Sequence, residues 1–387
     1  MTSLLIIVVL VLLGIAIWQL TKIFDLTQVG TGRTNDDSGI ATDRDNNING
    51  YLMFAFLGFI YVFTIYSLWK WGHLVLGTPA SEHGPQYDNL MAISMWLIFI
   101  TQTITQFLLH YFSFKYRGKQ GKVAFYYADN DKLEFIWTII PVIVLAGLIL
   151  YGLYAWTNIM FVDEDEDVIV VELYAKQFSW EARYSGEDNV LGKANVRYIE
   201  GINTLGVDVT DPNAQDDKVV NELHLPKGKK VVFKMRSQDV LHSAYMPHFR
   251  AQMNCVPGMV TQFAFTPNKT TAEMRQTPEI VEKVSVINEI RAKKSVELTK
   301  KGEPGLDPYT FDFLLLCNKI CGPSHYNMQM KIVVESEADY KKWLSEKPTL
   351  VSAVKAEKEP KAETVGPTAP VDSTKASVDT TKVVAAN

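Results

Sequence analysis

Donor atoms crowd into one run near the C-terminal third of the chain: Cys317-Asn318-Lys319-Ile320-Cys321-Gly322-Pro323-Ser324-His325-Tyr326-Asn327-Met328. Two thiols four positions apart are followed by an imidazole four residues later and a thioether three beyond that. A tight loop at the end of a strand can aim such a set at one point. Thiolate, imidazole and thioether are soft ligands, which suit copper better than zinc, calcium or magnesium, and zinc rarely recruits methionine. A structural zinc site and a Cys317–Cys321 disulfide are the bland alternatives. A further imidazole, His242 in Ser237-Gln238-Asp239-Val240-Leu241-His242-Ser243, lies 75 residues before Cys317 and just after a predicted strand, so it closes the site only through the fold.

The remaining composition excludes several classes. Cys255, Cys317 and Cys321 are the only cysteines, and an odd number rules out a disulfide-stapled scaffold. Cys255 reads as a small buried side chain. No Cys-x-x-Cys-His run occurs, so the chain attaches no c-type haem, and His73, His83 and His110 are scattered near the ends of apolar stretches rather than grouped for another haem. A formal charge of −5 offers no basic excess for phosphates, so nucleic acid is not a partner.

The elements that position the donor run begin in lipid. Residues 4–20, 51–69, 90–114 and 135–162 contain no Asp, Glu, Lys or Arg, and about 20 apolar residues as a helix span a bilayer core. Lys115, Arg117, Lys119, Lys122 and Lys132 crowd the loop between the third and fourth stretches, and Lys22, Arg33 and Arg44 follow the first. The positive-inside rule makes both loops cytoplasmic and puts everything after the fourth span outside. This parity requires the first stretch to stay in the protein, and Met1-Thr2-Ser3 lacks the basic start of a secretory signal. Gln102, Thr105 and Gln106 share one face of the third span and predict packing against another helix, within this chain or on a larger membrane subunit. Pro141 can kink the fourth span without breaking it.

Past residue 163 the pattern changes to an acidic run, Asp163-Glu164-Asp165-Glu166-Asp167, and then to short alternating segments at 168–174, 219–225, 231–235, 260–266, 310–316 and 330–335. Short strands with turn punctuation such as Pro226-Lys227-Gly228 predict an all-β sandwich or barrel. Residues 270–301 read instead as a charged helical insertion. Beyond about Lys347 the chain is Ala, Lys, Val, Thr and Pro with no aromatic residue, which predicts disorder. The domains are therefore 1–86, two additional spans; 87–162, a helical hairpin; 163–345, the β-domain with its insertion; and 346–387, the tail.

With these residues in view, the sequence resembles subunit 2 of cytochrome c oxidase, the subunit that carries the dinuclear copper A centre of haem–copper oxidases. The resemblance rests on Cys317–Met328, on Asp239-Val240-Leu241-His242-Ser243, on Pro257-Gly258, on Leu223-His224-Leu225-Pro226-Lys227-Gly228 and on Glu134-Phe135-Ile136-Trp137-Thr138-Ile139-Ile140-Pro141. It covers roughly residues 87 to 340. It implies a cupredoxin-like Greek-key domain on the outer side of a bacterial cytoplasmic membrane, after a two-helix hairpin. It implies that Cys317 and Cys321 bridge two copper ions, that His242 and His325 terminate the pair, that Met328 is a weak ligand, and that the Lys319 backbone carbonyl completes the set. It further implies a catalytic oxidase subunit 1 and other oxidase subunits as partners, membrane lipid around the spans, and cytochrome c or a cytochrome domain as donor. The extra spans and the insertion add the expectation of a larger respiratory assembly.

Several positions depart from that family. Lys319 stands where the family has a Glu whose carboxylate reaches a magnesium or manganese ion, so this chain is expected to supply no ligand to that metal. Asn254 replaces a common Asp. Phe178 takes the place of the first of two tryptophans associated with electron uptake, and Trp180 matches the second; core packing is the bland reading for both. Glu134 matches a carboxylate at the inner mouth of a proton channel, against the bland reading of an interfacial anchor. The rival readings are a copper-free quinol oxidase subunit, which lacks the ligands this chain has, and a membrane protein that stores or delivers copper.

Overall fold

The computed structural model describes residues 2–29, 42–123, 125–162 and 167–358. Four helices come first: α1 (Thr2–Val29), α2 (Asp43–Trp71), α3 (Gly84–Lys115) and α4 (Asp131–Met160). Among the described residues α2, α3 and α4 are long and apolar enough to cross a membrane, and α1 carries a shorter apolar stretch, Val8–Ile23. Side chains set where two of them start. Thr42 and Asp45 form a reciprocal capping box at the head of α2, and the Asn130 side chain accepts from the Leu133 N–H at the head of α4, each satisfying N–H groups the helix leaves unpaired. Pro141 lies inside α4, which runs on through it.

Helices α2 and α3 pack against each other where the start of α2 meets the end of α3. A Cβ on Gly50 would come within 2.8 Å of the Phe114 ring, so the glycine is what admits that ring. Arg117 Nε donates to Asn47 Oδ1 at 2.6 Å across the same seam. His110 is buried there, its Nδ1 2.7 Å from the Gln106 carbonyl one turn back. The polar face expected at Gln102, Thr105 and Gln106 is only half used within this chain: Thr105 and Gln106 are half-buried, while Gln102 is exposed.

The outer domain consists of β1 (Ile169–Lys176), β2 (Ser179–Tyr184), β3 (Lys218–Val220), β4 (Leu223–Pro226), β5 (Val231–Ser237), β6 (His242–Met246), β7 (Ala251–Cys255), β8 (Thr261–Phe265), β9 (Phe313–Cys317) and β10 (Gln329–Glu335). They form two five-stranded sheets in the orders β3-β2-β1-β5-β8 and β4-β10-β9-β6-β7, in which β1 pairs with β5 and β4 with β10 in parallel. Leu173, Phe233, Met235, Phe313, Leu315 and Ile332 fill the space between the sheets. This is the two-sheet β-domain that the sequence pattern predicts, and it fits the cupredoxin-like domain after membrane helices that the resemblance implies.

Two details differ from the pattern. The single run at 219–225 is split, with Lys218–Val220 in one sheet and Leu223–Pro226 in the other. Strands β2, β6 and β7 also form where no run stood out: β6 is buried at four of its five positions and so does not alternate.

The loop between α2 and α3 lies along this domain. Ala80 N donates to His248 O at 2.7 Å, Glu82 N to Thr266 O at 3.0 Å and Asn268 N to Ala80 O at 2.9 Å, while Arg250 pairs with Asp88 at 2.7 Å. The insertion is helical as expected, made of α5 (Thr271–Arg275) and α6 (Pro278–Lys300). Its Glu279 accepts from both the N–H and the hydroxyl of Thr78 at 2.9 and 2.8 Å, which ties the insertion to the same membrane loop.

Beyond β10 come α7 (Glu337–Ser345) and α8 (Leu350–Lys358). The composition past Lys347 predicts disorder, and for residues 350–358 that is corrected. Leu350, Val351 and Val354 share one face of α8 and are buried, Leu350 and Val354 against Leu205, Val207 and Tyr174. Aliphatic residues at i, i+1 and i+4 supply an apolar face without any aromatic ring. The rest of the tail and the acidic residues 163–166 lie outside the described residues; Asp167 itself pairs with Lys229 at 2.6 Å.

Candidate metal centre

Strand β9 ends at Cys317, and the chain returns to β10 through a loop whose last turn is a short 3-10 helix at His325–Asn327. His242 opens β6, the neighbour of β9, and the register Ala244↔Cys317 brings it alongside that loop. The two distant stretches therefore meet because two adjacent strands end side by side.

Their donor atoms converge. His242 Nδ1 lies 3.7 Å from Cys317 Sγ, the two cysteine sulfurs are 3.8 Å apart, His325 Nδ1 is 3.6 Å from Cys321 Sγ, and Met328 Sδ is 3.9 Å from Cys321 Sγ. The Lys319 carbonyl oxygen lies 3.2 Å from Cys317 Sγ, with the Lys319 side chain exposed. The three cysteines are free thiols, so the disulfide alternative is not what this structure holds. The ligand atoms of His242, Cys317 and Cys321 all fall within 4.8 Å of one another, a spacing that suits metal binding.

The centre is dry on the strand side and open on the loop side. His242 and Met328 are buried, and Cys321 is 6% exposed; Cys317 and His325 are half-buried. Burial first, and the neighbouring Cys317 sulfur second, push the Cys321 thiol up to about 11. A bound cation would reverse that preference and hold both cysteines as thiolates. Two thiolates, two imidazoles, a thioether and a carbonyl suit copper, since the set is too soft for calcium or magnesium and includes a methionine that zinc seldom uses.

One residue that orients the ligands carries no role in the sequence reading. Asp239 Oδ1 lies 2.8 Å from His242 Nε2, which places the ring proton there and leaves Nδ1 to face the sulfurs. The same carboxylate accepts from Val240 N and Gln177 N, each at 2.7 Å. Burial pushes the Asp239 carboxyl up, but the hydrogen bonds from Gln177, His242 and Val240 outweigh it and hold it below its usual value. The available signal was Asp239's place three residues before His242.

The other predicted residues fall in different places. Trp180 is 3% exposed, its ring 6.3 Å from the His242 ring in a T-shaped arrangement. Phe178 is half-buried and packs against the donor loop at Gly322. Cys255 is buried opposite His242 in the β6–β7 pair, and burial pushes its thiol up to about 12, so it is an inert core side chain. Glu134 sits in the first turn of α4, and the helix rises about 1.5 Å per residue, so it lies a whole span from the end of α4 that adjoins the β-domain.

Fold and site together define a membrane-anchored cupredoxin-like domain with a cluster of soft donors on its loops. The transmembrane-domain model of cytochrome c oxidase subunit II matches residues 69–155, and its periplasmic-domain model matches residues 169–291. The "Alternative cytochrome c oxidase subunit 2" of Bradyrhizobium diazoefficiens is 32% identical over 290 residues, covering 74% of this chain and 87% of that protein. Cytochrome c oxidase subunit 2 of Alkalihalophilus pseudofirmus is 23% identical over 279 residues, covering 69% and 61%. The solved periplasmic domain of subunit II of a Bradyrhizobium japonicum cytochrome oxidase aligns at 16% identity with a TM-score of 0.27, over 48% of this chain and 95% of that one, too slight a likeness to add weight. The chain belongs to the cytochrome c oxidase subunit II family and is a membrane protein with a periplasmic domain. The family-model matches end at residue 291, so the donor loop at 317–328 stands on its own chemistry and geometry.

Proposed function

We propose that the chain is the electron-uptake subunit of a proton-pumping cytochrome c oxidase, held in a bacterial cytoplasmic membrane by four spans with its β-domain outside. It takes single electrons from cytochrome c or a cytochrome domain and passes them to haem in the catalytic subunit 1, where oxygen is reduced. His242, Cys317, the Lys319 carbonyl, Cys321, His325 and Met328 would hold a dinuclear copper centre, which when bound supplies one-electron redox chemistry shared over two metals. The chain's own part is rigidity and dryness. Asp239 fixes the His242 ring, the sheets bury His242 and Met328, and donors held in place by strand ends need little rearrangement when charge changes.

The observation that carries this reading is the meeting of the His242 strand with the Cys317–Cys321 loop, with every donor of the soft set within reach of a sulfur. Glu134, at the inner end of α4, takes the role of proton uptake into the catalytic subunit. Lys319 presents an ammonium where the family places a carboxylate, so the magnesium or manganese ion of the subunit boundary receives no ligand from this chain. Docking of the extra spans on a further membrane subunit, through faces such as that of Gln102, fits a larger respiratory assembly.

Rapid mixing of the assembled oxidase with reduced cytochrome c tests the proposal. The visible bands of the copper centre should bleach before the haem of subunit 1 is reduced. Haem reduction with no preceding change at this chain, or a chain devoid of copper, would reject it and favour a quinol-oxidase relative.

A further inference from the structure

The turn between β1 and β2 reaches the metal centre without lending it a ligand. The Gln177 N–H donates to Asp239 Oδ2 at 2.7 Å, and the other oxygen of that carboxylate lies 2.8 Å from His242 Nε2. The Gln177 side-chain amide Nε2 donates to the carbonyl of Cys321. The next ring, Phe178, lies on Gly322: a Cβ at that position would come within 2.8 Å of Phe178 Cζ and 3.0 Å of Gln177 Nε2, and Gly322 adopts a φ of +142°. One residue therefore grips both halves of the donor set. It holds the strand-borne histidine through Asp239 and the loop-borne cysteine through that cysteine's own carbonyl.

The fold does not demand either contact. The β1–β2 pair is already registered by its ladder, from Val171↔Tyr184 to Lys176↔Ser179, and an exposed glutamine at the turn could face water at no cost to the sheet. The Cys321–Gly322 segment, by contrast, belongs to no helix or strand. Its position is set by what touches it, and a small displacement of the Cys321 carbonyl moves the adjoining thiol.

We infer that Gln177 is a positioning residue for the metal centre: its backbone and side-chain amides lock the His242 side and the Cys321 side at a fixed separation. Phe178, seated on Gly322, closes the same clamp, so its packing rather than its redox character explains why an aromatic residue stands there. The inference rests on the copper reading of the preceding section.

The test compares the assembled wild-type oxidase with Gln177→Leu, which keeps the bulk and removes the donor. Both should hold two coppers per chain, while the Leu variant shows an altered hyperfine pattern in its copper EPR spectrum, shifted visible bands and a changed reduction potential. Copper should also pass to a chelator on the order of 10-fold faster, as is usual when an outer contact to a ligand is lost. Identical spectra, potential and release rate in the two proteins overturn the positioning role and leave the copper reading intact. A wild-type complex without two coppers overturns both. Should Gln177→Leu fail to assemble, Gln177→Met is read by the same three measurements against the same outcomes.

Discussion

Arg183, Glu172 and Asp217 are buried as thoroughly as His242 and Cys321, yet the two groups are paired in opposite ways. Arg183 donates to Glu172 at 2.6 Å and to Asp217 at 2.8 Å, and Arg236 also pairs with Glu172. Each formal charge there has a counter-charge within the cluster, so the group is electrically closed. The sulfur and imidazole donors around Cys317 and Cys321 stand 3.6 to 3.9 Å from one another, contacts to sulfur between groups of the same donor kind. They share a focus with no ion pair among the donors themselves; the one carboxylate in contact, Asp239, lies on the far side of the His242 ring. Burial by itself therefore does not mark a functional centre in this domain; what marks it is a set of donors that leaves room for a cation.

The contrast predicts different failures. Cys321→Ser removes a shared ligand, so the assembled complex should lose the dinuclear signal and at least 100-fold of its cytochrome c oxidation rate, with its thermal unfolding little changed; copper analysis and turnover check it. Arg183→Met should do the reverse. It leaves the buried Asp217 carboxylate without its cation and Glu172 with Arg236 alone, and should cost about 3–5 kcal/mol of stability, read by denaturant unfolding, with the copper spectrum unchanged in whatever fraction stays folded. If Arg183→Met altered the copper EPR of folded protein, the two clusters would not be independent.

Acidity sharpens the comparison further. Burial raises the Asp217 carboxyl to about 6 from an ordinary value of 3.8, against the opposing pull of Arg183. The folded state then binds more protons than the unfolded state between these values, so this group's contribution to stability grows as pH falls from about 6 towards 4 and is lost as pH rises. Unfolding of wild type and Asp217→Asn across that window should show wild type gaining relative to the variant on acidification. A constant difference would mean that the carboxyl is not raised.

Smaller effects are expected at the periphery. Glu134→Gln should slow oxidase turnover several-fold while leaving the copper spectrum untouched; unchanged turnover would remove Glu134 from proton uptake. Val354→Asp, on the face of α8 that covers the loop beside Asp217, should cost about 1–3 kcal/mol by exposing the contact to a charge, again with no spectral consequence.

What could be read from the sequence follows the physics of each element. Charge-free helices and the Cys317–Met328 loop announce themselves locally, because lipid and metal both impose residue type at fixed spacing. His242 could be named only through its neighbours, since the register of β6 on β9 that brings it in is set by the whole sheet. Strands β6 and β7 escaped because burial at successive positions erases alternation in the first, and the second, Ala251-Gln252-Met253-Asn254-Cys255, holds no β-branched or aromatic residue. The contacts of Gln177 with Asp239 and Cys321 join residues 62 and 144 positions apart, beyond the reach of any local pattern. Helix α8 was hidden by a composition that resembles a tether, although three aliphatic side chains suffice to dock it.

The most direct measurement is the copper EPR spectrum, with metal analysis, of the air-oxidised, assembled complex. Two coppers per chain and a multi-line spectrum from one unpaired electron shared equally between them are predicted. A four-line spectrum from a single copper, or no copper on this chain, would contradict the account.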